Sequence, residues 1–267
     1  MDFPLCIIGH VTRDSMGDED RPGGAAYYAT RAALALGHPV TLVTAAPVDA
    51  PEIESLRSLQ NLTLHVKPSS HLTHFALRHT EGRRQVQLLA WATNITSADL
   101  PPFEKDGLVY LAPVIGEVTG EILPALAHCD VTLGAQGWMR WADSQGAIGE
   151  ALDDALQNPV GLSNVIFSEL DHSNSELIAA RLASTGITVA VTRGSAGATL
   201  FEHSKRIEIP VHPVAEVDTT GAGDVFGVVF ALEKHRGRST MQAAQRAARA
   251  AANIVQRRRD AFLWHNF

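Results

Sequence analysis

Residues 187–192, Ile-Thr-Val-Ala-Val-Thr, form an almost unbroken run of apolar and β-branched side chains. A strand with one face in water alternates polar and apolar residues, so a run like this needs cover on both faces. Parallel sheets supply that cover, because each crossover lays a helix against the sheet. Similar short runs recur at 5–8, 40–45, 108–111, 131–134 and 164–167. Between them lie segments of helical length, several rich in alanine: 24–36, a segment opened by Pro51, 117–127, 147–156, 173–184, 222–235 and 240–256. Gly37 and Pro39 stop the first of these, and Pro51 suits a first helical turn, where its missing N–H costs little. The alternation predicts a doubly wound, mostly parallel α/β sheet flanked by helices. With 267 residues, 45% of them hydrophobic, the chain can bury the core of one such domain spanning 1–267.

Two stretches depart from the alternation. Residues 10–22 are polar, with charges of both signs. Residues 62–92 carry strand patterns at 62–66, 72–78 and 85–91, the last two joined by Glu81-Gly82-Arg83. These read as a small antiparallel β lid inserted into the α/β chain, with a further hairpin at 198–209.

The formal net charge of −7 argues against a nucleic-acid partner or an anionic membrane, which would need a basic field. No apolar run is long enough to span a bilayer, and the first residues read as a strand and not as a signal peptide. Two cysteines, Cys6 and Cys129, do not make a disulfide framework in a chain of this length, which points to a reducing, cytoplasmic setting. His65, His71, His74 and His79 fall on mixed faces of the lid, which speaks against a metal site. Arg257-Arg258-Arg259 reads as a solvated helix end. The chain has no Gly-x-x-x-x-Gly-Lys-Ser/Thr loop and no Gly-x-Gly-x-x-Gly after the first strand. Ser195 does not sit in a Gly-x-Ser-x-Gly elbow, so it is given no nucleophilic role.

The chemistry concentrates in Asp218-Thr219-Thr220-Gly221-Ala222-Gly223-Asp224, which runs straight into an apolar helix. The first N–H groups of a helix have no intrahelical partner, and small residues leave them unhindered. Together with the helix dipole they make an anion hole suited to a phosphoryl group. A carboxylate in the first turn, Asp224, is placed to take a proton from an attacking hydroxyl. A Gly-Ala-Gly turn before a helix is common by itself; the ordered run ending in Asp is far more specific.

This heptapeptide resembles the C-terminal signature of the ribokinase-like (pfkB) carbohydrate kinases, and the resemblance extends over nearly the whole chain. It implies Asp224 as general base, with Gly221, Ala222 and Gly223 as the anion hole. Gly23-Gly24 resembles the family's N-terminal signature, where a backbone without side chains lies against the substrate. Asp14 matches the Asp that binds substrate hydroxyls, and a carboxylate suits a vicinal diol. Thr192, Gly194 and Gly197 match the turn beside the nucleotide phosphates. Asn253 resembles a residue near the adenine. The family's Asn-x-x-Glu appears here as Ser168-Glu169-Leu170-Asp171, so Asp171 or Glu169 would take the role of organising Mg²⁺. An Asn usual after the glycine pair is replaced by Tyr28. The segments around 116–124 and 129–140 are similar to the myo-inositol kinase branch, with Gln136 and Arg140 as acceptor-pocket residues.

The resemblance implies an ATP-dependent kinase with Mg²⁺, and a monovalent cation such as K⁺ beside Asp218–Thr220. The acceptor would be a small sugar or polyol of the myo-inositol type, and the lid could pair two copies in a homodimer. Two other readings stand beside it: a nucleoside or vitamin-type kinase of the same fold, and a non-catalytic ligand-binding or regulatory protein built on it.

Overall fold

The computed structural model describes residues 3–80, 83–103, 105–211, 214–215 and 217–256. The chain opens with β1 (Leu5–Ile8), β2 (Thr12–Met16), β3 (Glu19–Gly23), α1 (Ala25–Ala35), β4 (Val40–Ala46), α2 (Pro51–Arg57) and β5 (Leu62–Pro68). Next come β6 (Thr73–Thr80), β7 (Arg83–Ala90), β8 (Leu108–Leu111), β9 (Asp130–Gly134), β10 (Arg140–Ala142) and β11 (Ile148–Glu150). The remainder holds β12 (Asn164–Ser168), α3 (Ser175–Ser184), β13 (Thr188–Thr192), β14 (Ala198–Glu202), β15 (Lys205–Ile209), α4 (Ala222–His235) and α5 (Thr240–Val255).

The main sheet runs in the order β15-β14-β13-β12-β9-β8-β1-β4-β5. From β13 to β5 all neighbours are parallel, and β14 and β15 add an antiparallel hairpin at one edge. The chain winds from β1 toward β5 and then from β8 toward β13, so the direction of winding reverses between β1 and β8. In open α/β sheets ligands bind at such a switch point, beyond the carboxyl ends of the strands.

Side-chain alternation along each strand feeds two cores. In β1, Leu5 and Ile7 pack with α1, α4 and α5, while Cys6 and Ile8 pack with α3 and the turn around Ile122. Every residue of β1 and β8 is buried, as their unbroken apolar sequence predicts. No helix among the described residues is long and apolar enough to cross a membrane.

A second sheet, in the order β3-β2-β6-β7, stands over the first. Its hairpins are antiparallel and are joined by a parallel β2–β6 pairing. The polar stretch 10–22 thus supplies two strands that its composition does not signal. The strand at 62–66, expected in the lid, is instead β5 of the main sheet, parallel to β4. Its alternating half-exposure is that of an edge strand, and this mimics a lid pattern. His65 therefore lies in the main sheet, apart from His74 on β6.

Two expected helices are absent. Residues 117–127 contain a 3₁₀ segment, Gly120–Leu126, with Pro124 inside it and no α-helix. A Cβ on Gly120 would stand 2.1 Å from the Ala155 methyl, so this turn is fitted to its neighbour and not to helical periodicity. Residues 147–156 form β11, paired with β10, and a short 3₁₀ turn, Asp154–Leu156. Here Gly149 lies under the Trp141 ring, and tertiary packing overrides helix propensity. Arg257-Arg258-Arg259 lies outside the described residues.

A buried carboxylate holds the loops at the switch point. Glu117 is fully buried and accepts from the N–H groups of His10 (3.0 Å), Val114 (2.9 Å) and Ile115 (2.8 Å). It thereby ties the loop after β1 to the loop after β8. Glu117→Ala leaves these donors buried without an acceptor, at about 1–3 kcal/mol each. Guanidinium denaturation should report a loss of at least ~3 kcal/mol. A loss below ~1 kcal/mol would show that the loops do not depend on this carboxylate.

Candidate active site

The carboxyl ends of the strands open into a cleft of about 820 Å³ between the main sheet and the lid. The head of α4 forms one wall. Gly221 precedes the helix with φ 79°, in the left-handed region that favours glycine. A Cβ there would also stand 2.5 Å from the ring of Tyr28 on α1. The Ala222 N–H donates to the Thr219 carbonyl (3.2 Å), which closes the turn. The N–H groups of Gly221 and Gly223 make no backbone hydrogen bond among the described residues. Both glycines line the cleft, whereas the Ala222 N–H is taken up within the turn. Asp218 shapes the approach by accepting from the Thr220 N–H (2.9 Å). The Val217 and Asp218 N–H groups donate to the Val255 carbonyl and fasten the loop to the end of α5.

Across the cleft, Asp14 on β2 is buried, and its carboxylate accepts from the Thr12 hydroxyl (2.9 Å). The glycine pair makes room for it. A Cβ on Gly23 would stand 2.3 Å from the Asp14 carboxylate. Gly24 has φ 91°, and a Cβ there would stand 2.6 Å from the His10 carbonyl. Gly24 lines the cleft, whereas Gly23 supports Asp14 from behind. Thr12 carries no motif and is legible only once Asp14 is in place.

The lid is anchored at its root by His10. Its Nε2 lies 3.1 Å from the Thr93 carbonyl and its Nδ1 2.7 Å from the Thr73 hydroxyl. A carbonyl can only accept, so Nε2 carries the proton and Nδ1 accepts from Thr73. Burial lowers the pKa of this imidazole, against the nearby Glu117 charge and the Thr93 hydrogen bond. The neutral ring thus joins the start of β6 and the end of β7 to the main sheet. From there Phe75, Leu77 and Val86 form an apolar roof over the cleft.

Gln136, Arg140 and Asp171 converge, although the sequence places them in separate roles. Asp171 accepts from the Ser168 N–H (2.7 Å) and from the Gln136 amide (3.2 Å). Arg140 donates through Nε to the Val114 carbonyl, and its guanidinium lies 5.3 Å from the centre of the Phe75 ring. Glu169 stands exposed at the rim of the cleft. Among the described residues no three metal-ligating side chains gather. Asp171 and Glu169 thus form no all-protein cage. They fit a hydrated Mg²⁺ that arrives with a phosphorylated donor, the usual binding mode of that ion.

Thr192 ends β13, and its carbonyl accepts from the Glu169 N–H (3.0 Å). Gly194 (φ 52°) and Gly197 (φ 90°) turn the chain beside it, and a Cβ on Gly197 would stand 2.1 Å from the Ile209 carbonyl. Arg193 in this turn pairs with Glu176. Asn253 is not brought into the site. It is exposed on α5, and Ala252 and Val255 face the cleft in its place. Tyr28, which replaces the Asn after the glycine pair, lines the cleft as well, and so does Tyr110, which no motif marks.

Burial raises the pKa of Asp171, against the Ser168 N–H, the Gln136 amide and the Arg140 charge. The folded state then holds this proton more tightly than the unfolded chain. Stability falls as pH rises through the ordinary Asp value and on through the raised one. Asp171→Asn removes the penalty and keeps an acceptor for Ser168. Its melting temperature at pH 7 should exceed that of the wild type, with the gap closing toward pH 3. A lower melting temperature at pH 7 would contradict the assignment.

Comparison with known proteins gives this geometry a context. The family model for pfkB family carbohydrate kinase matches residues 11–265. A ribokinase of Bacillus subtilis is 26% identical, over 94% of this chain and 92% of its own length. A cytidine kinase of Thermococcus kodakarensis is 24% identical, over 95% of this chain and 96% of its own. Among solved structures, a pyrophosphate-dependent kinase in the ribokinase family, complexed with a pyrophosphate analog and myo-inositol, superposes with a TM-score of 0.82. It is 18% identical and covers 94% of this chain and 95% of its own.

Proposed function

The chain belongs to the pfkB family of carbohydrate kinases, and from that premise we propose that it transfers the γ-phosphate of ATP to a hydroxyl of a small polyol or sugar, with Asp224 as general base. The observation that carries this reading is that Asp224, the open N–H groups at the head of α4 and the buried Asp14 all border one cleft.

The steps follow from the residues. Asp14 accepts hydrogen bonds from neighbouring hydroxyls of the acceptor, and the backbone at Gly24 lies close to its ring. The roof of Phe75, Leu77 and Val86 keeps water from competing as acceptor. The donor phosphates lie along the turn Thr192–Gly197, with the terminal one at the head of α4. Asp224 takes the proton from the attacking oxygen as that oxygen closes on the γ-phosphorus and the bond from phosphorus to the bridging oxygen breaks, releasing ADP. The Gly221 and Gly223 N–H groups hold the charge on the transferred phosphoryl oxygens. Bound with the donor, Mg²⁺ would offset phosphate charge, held through water by Asp171 and Glu169. K⁺ would sit at the oxygen-rich loop Asp218–Thr220. The acceptor is of the myo-inositol type, with Gln136 and Arg140 on its far side.

A panel assay tests the reading. Purified protein with Mg-ATP is offered myo-inositol, ribose, fructose, adenosine and cytidine, with inorganic pyrophosphate as an alternative donor. Transfer to myo-inositol is the expected result. Transfer to cytidine alone would replace the polyol by a nucleoside, in line with the cytidine kinase relative. Binding without transfer from either donor would make the protein a ligand binder on this fold.

A further inference from the structure

Tyr110 of β8 is 1% exposed, yet it lines the cleft. Its ring packs in the core shared with α4, while its hydroxyl lies in a slot between two glycines. A Cβ on Gly227 of α4 would stand 2.1 Å from the hydroxyl oxygen, and one on Gly134 at the end of β9 would stand 2.6 Å away. Glycine inside a helix costs roughly 1 kcal/mol relative to alanine, so Gly227 needs a reason, and the Tyr110 hydroxyl supplies it. Gly227 lies one turn beyond Asp224, which sets this hydroxyl beneath the first turn of α4.

Buried tyrosine hydroxyls usually find a hydrogen-bond partner. Among the described residues the Tyr110 hydroxyl has none. Burial, and then the negative charge of Asp224, push its pKa well above the ordinary tyrosine value. The group therefore stays protonated and is a donor without a protein acceptor, at the floor of the cleft beside the proposed base.

We propose that Tyr110 is an acceptor-binding residue whose hydroxyl donates a hydrogen bond to the bound polyol and holds the reacting oxygen against Asp224. This rests on the kinase reading above and adds to it a contact that none of the motifs marks. The opposing view is that the hydroxyl only fills the slot between Gly134 and Gly227.

Tyr110→Phe in the full chain separates the two. With the acceptor that the panel identifies, myo-inositol or another, acceptor kcat/KM should fall about tenfold, the fold-change of one neutral hydrogen bond. The KM for ATP and the melting temperature should stay near the wild-type values, which a purely structural role would not predict. A second measurement uses the wild type with ring-labelled tyrosine. The chain has three tyrosines, so three NMR signals are expected, assigned with Tyr27→Phe and Tyr28→Phe. The Tyr110 signal should move on addition of the acceptor and not on addition of ATP alone. If the wild type transfers phosphate while Tyr110→Phe keeps full acceptor kcat/KM, the proposal is overturned and the kinase reading stands. An unmoved Tyr110 signal at saturating acceptor overturns it too, even where the variant fails to fold. If the wild type transfers no phosphate at all, the kinase reading falls and this proposal falls with it.

Discussion

A helix start leaves backbone N–H groups without partners, and at the head of α4 that deficit faces a cleft and not bulk water. The turn that creates it depends on Gly221, whose left-handed backbone and missing side chain let the loop rest on the Tyr28 ring. Thr219 takes up the Ala222 N–H, and the loop's own N–H groups are tied to the end of α5. What remains are the N–H groups of Gly221 and Gly223, which border the cleft. The rest of the structure serves to hold this pair across the cleft from the buried Asp14. The parallel sheet aims α4 at the switch point, Glu117 locks the loops there, and the neutral His10 fixes the lid above.

The parts legible in the sequence are those where local chemistry and global packing agree. The run at 187–192 is apolar because β13 is covered on both faces, and it could be read without any other information. The heptapeptide ending in Asp224 is legible because glycine, small residues and a helix-start carboxylate each have a local physical reason. The α4 boundaries, Ala222–His235, follow from the same signals.

Elsewhere the deciding contacts are distant in sequence. Residues 147–156 have helical composition, but pairing with β10 and the Gly149–Trp141 contact select a strand. Residues 10–22 have no apolar alternation, so β2 and β3 appear only when β6 pairs beside them. Asn253 has the position along the chain expected of a base-contacting residue, but it is exposed on α5, where Ala252 and Val255 line the cleft. Tyr110 sits in an ordinary buried strand, and only the two glycines facing it, far apart in the chain, give it meaning. Asp171 is the mixed case. Its motif is visible in the sequence, yet its partners Gln136 and Arg140 come from another strand end, so residues the sequence assigns to separate roles share one carboxylate.

On the proposed reading, the N–H donors at the head of α4 and the Asp224 carboxylate act together on one phosphoryl group. Single-turnover ³¹P NMR with protein, Mg-ATP and the identified acceptor tests it most directly. The wild type should yield a new phosphomonoester signal matched by ADP. Asp224→Asn, with the N–H donors intact, should form that signal more slowly by roughly 10²–10⁴-fold or more, the usual contribution of a positioned base. Formation of the phosphomonoester by Asp224→Asn at the wild-type rate would contradict it.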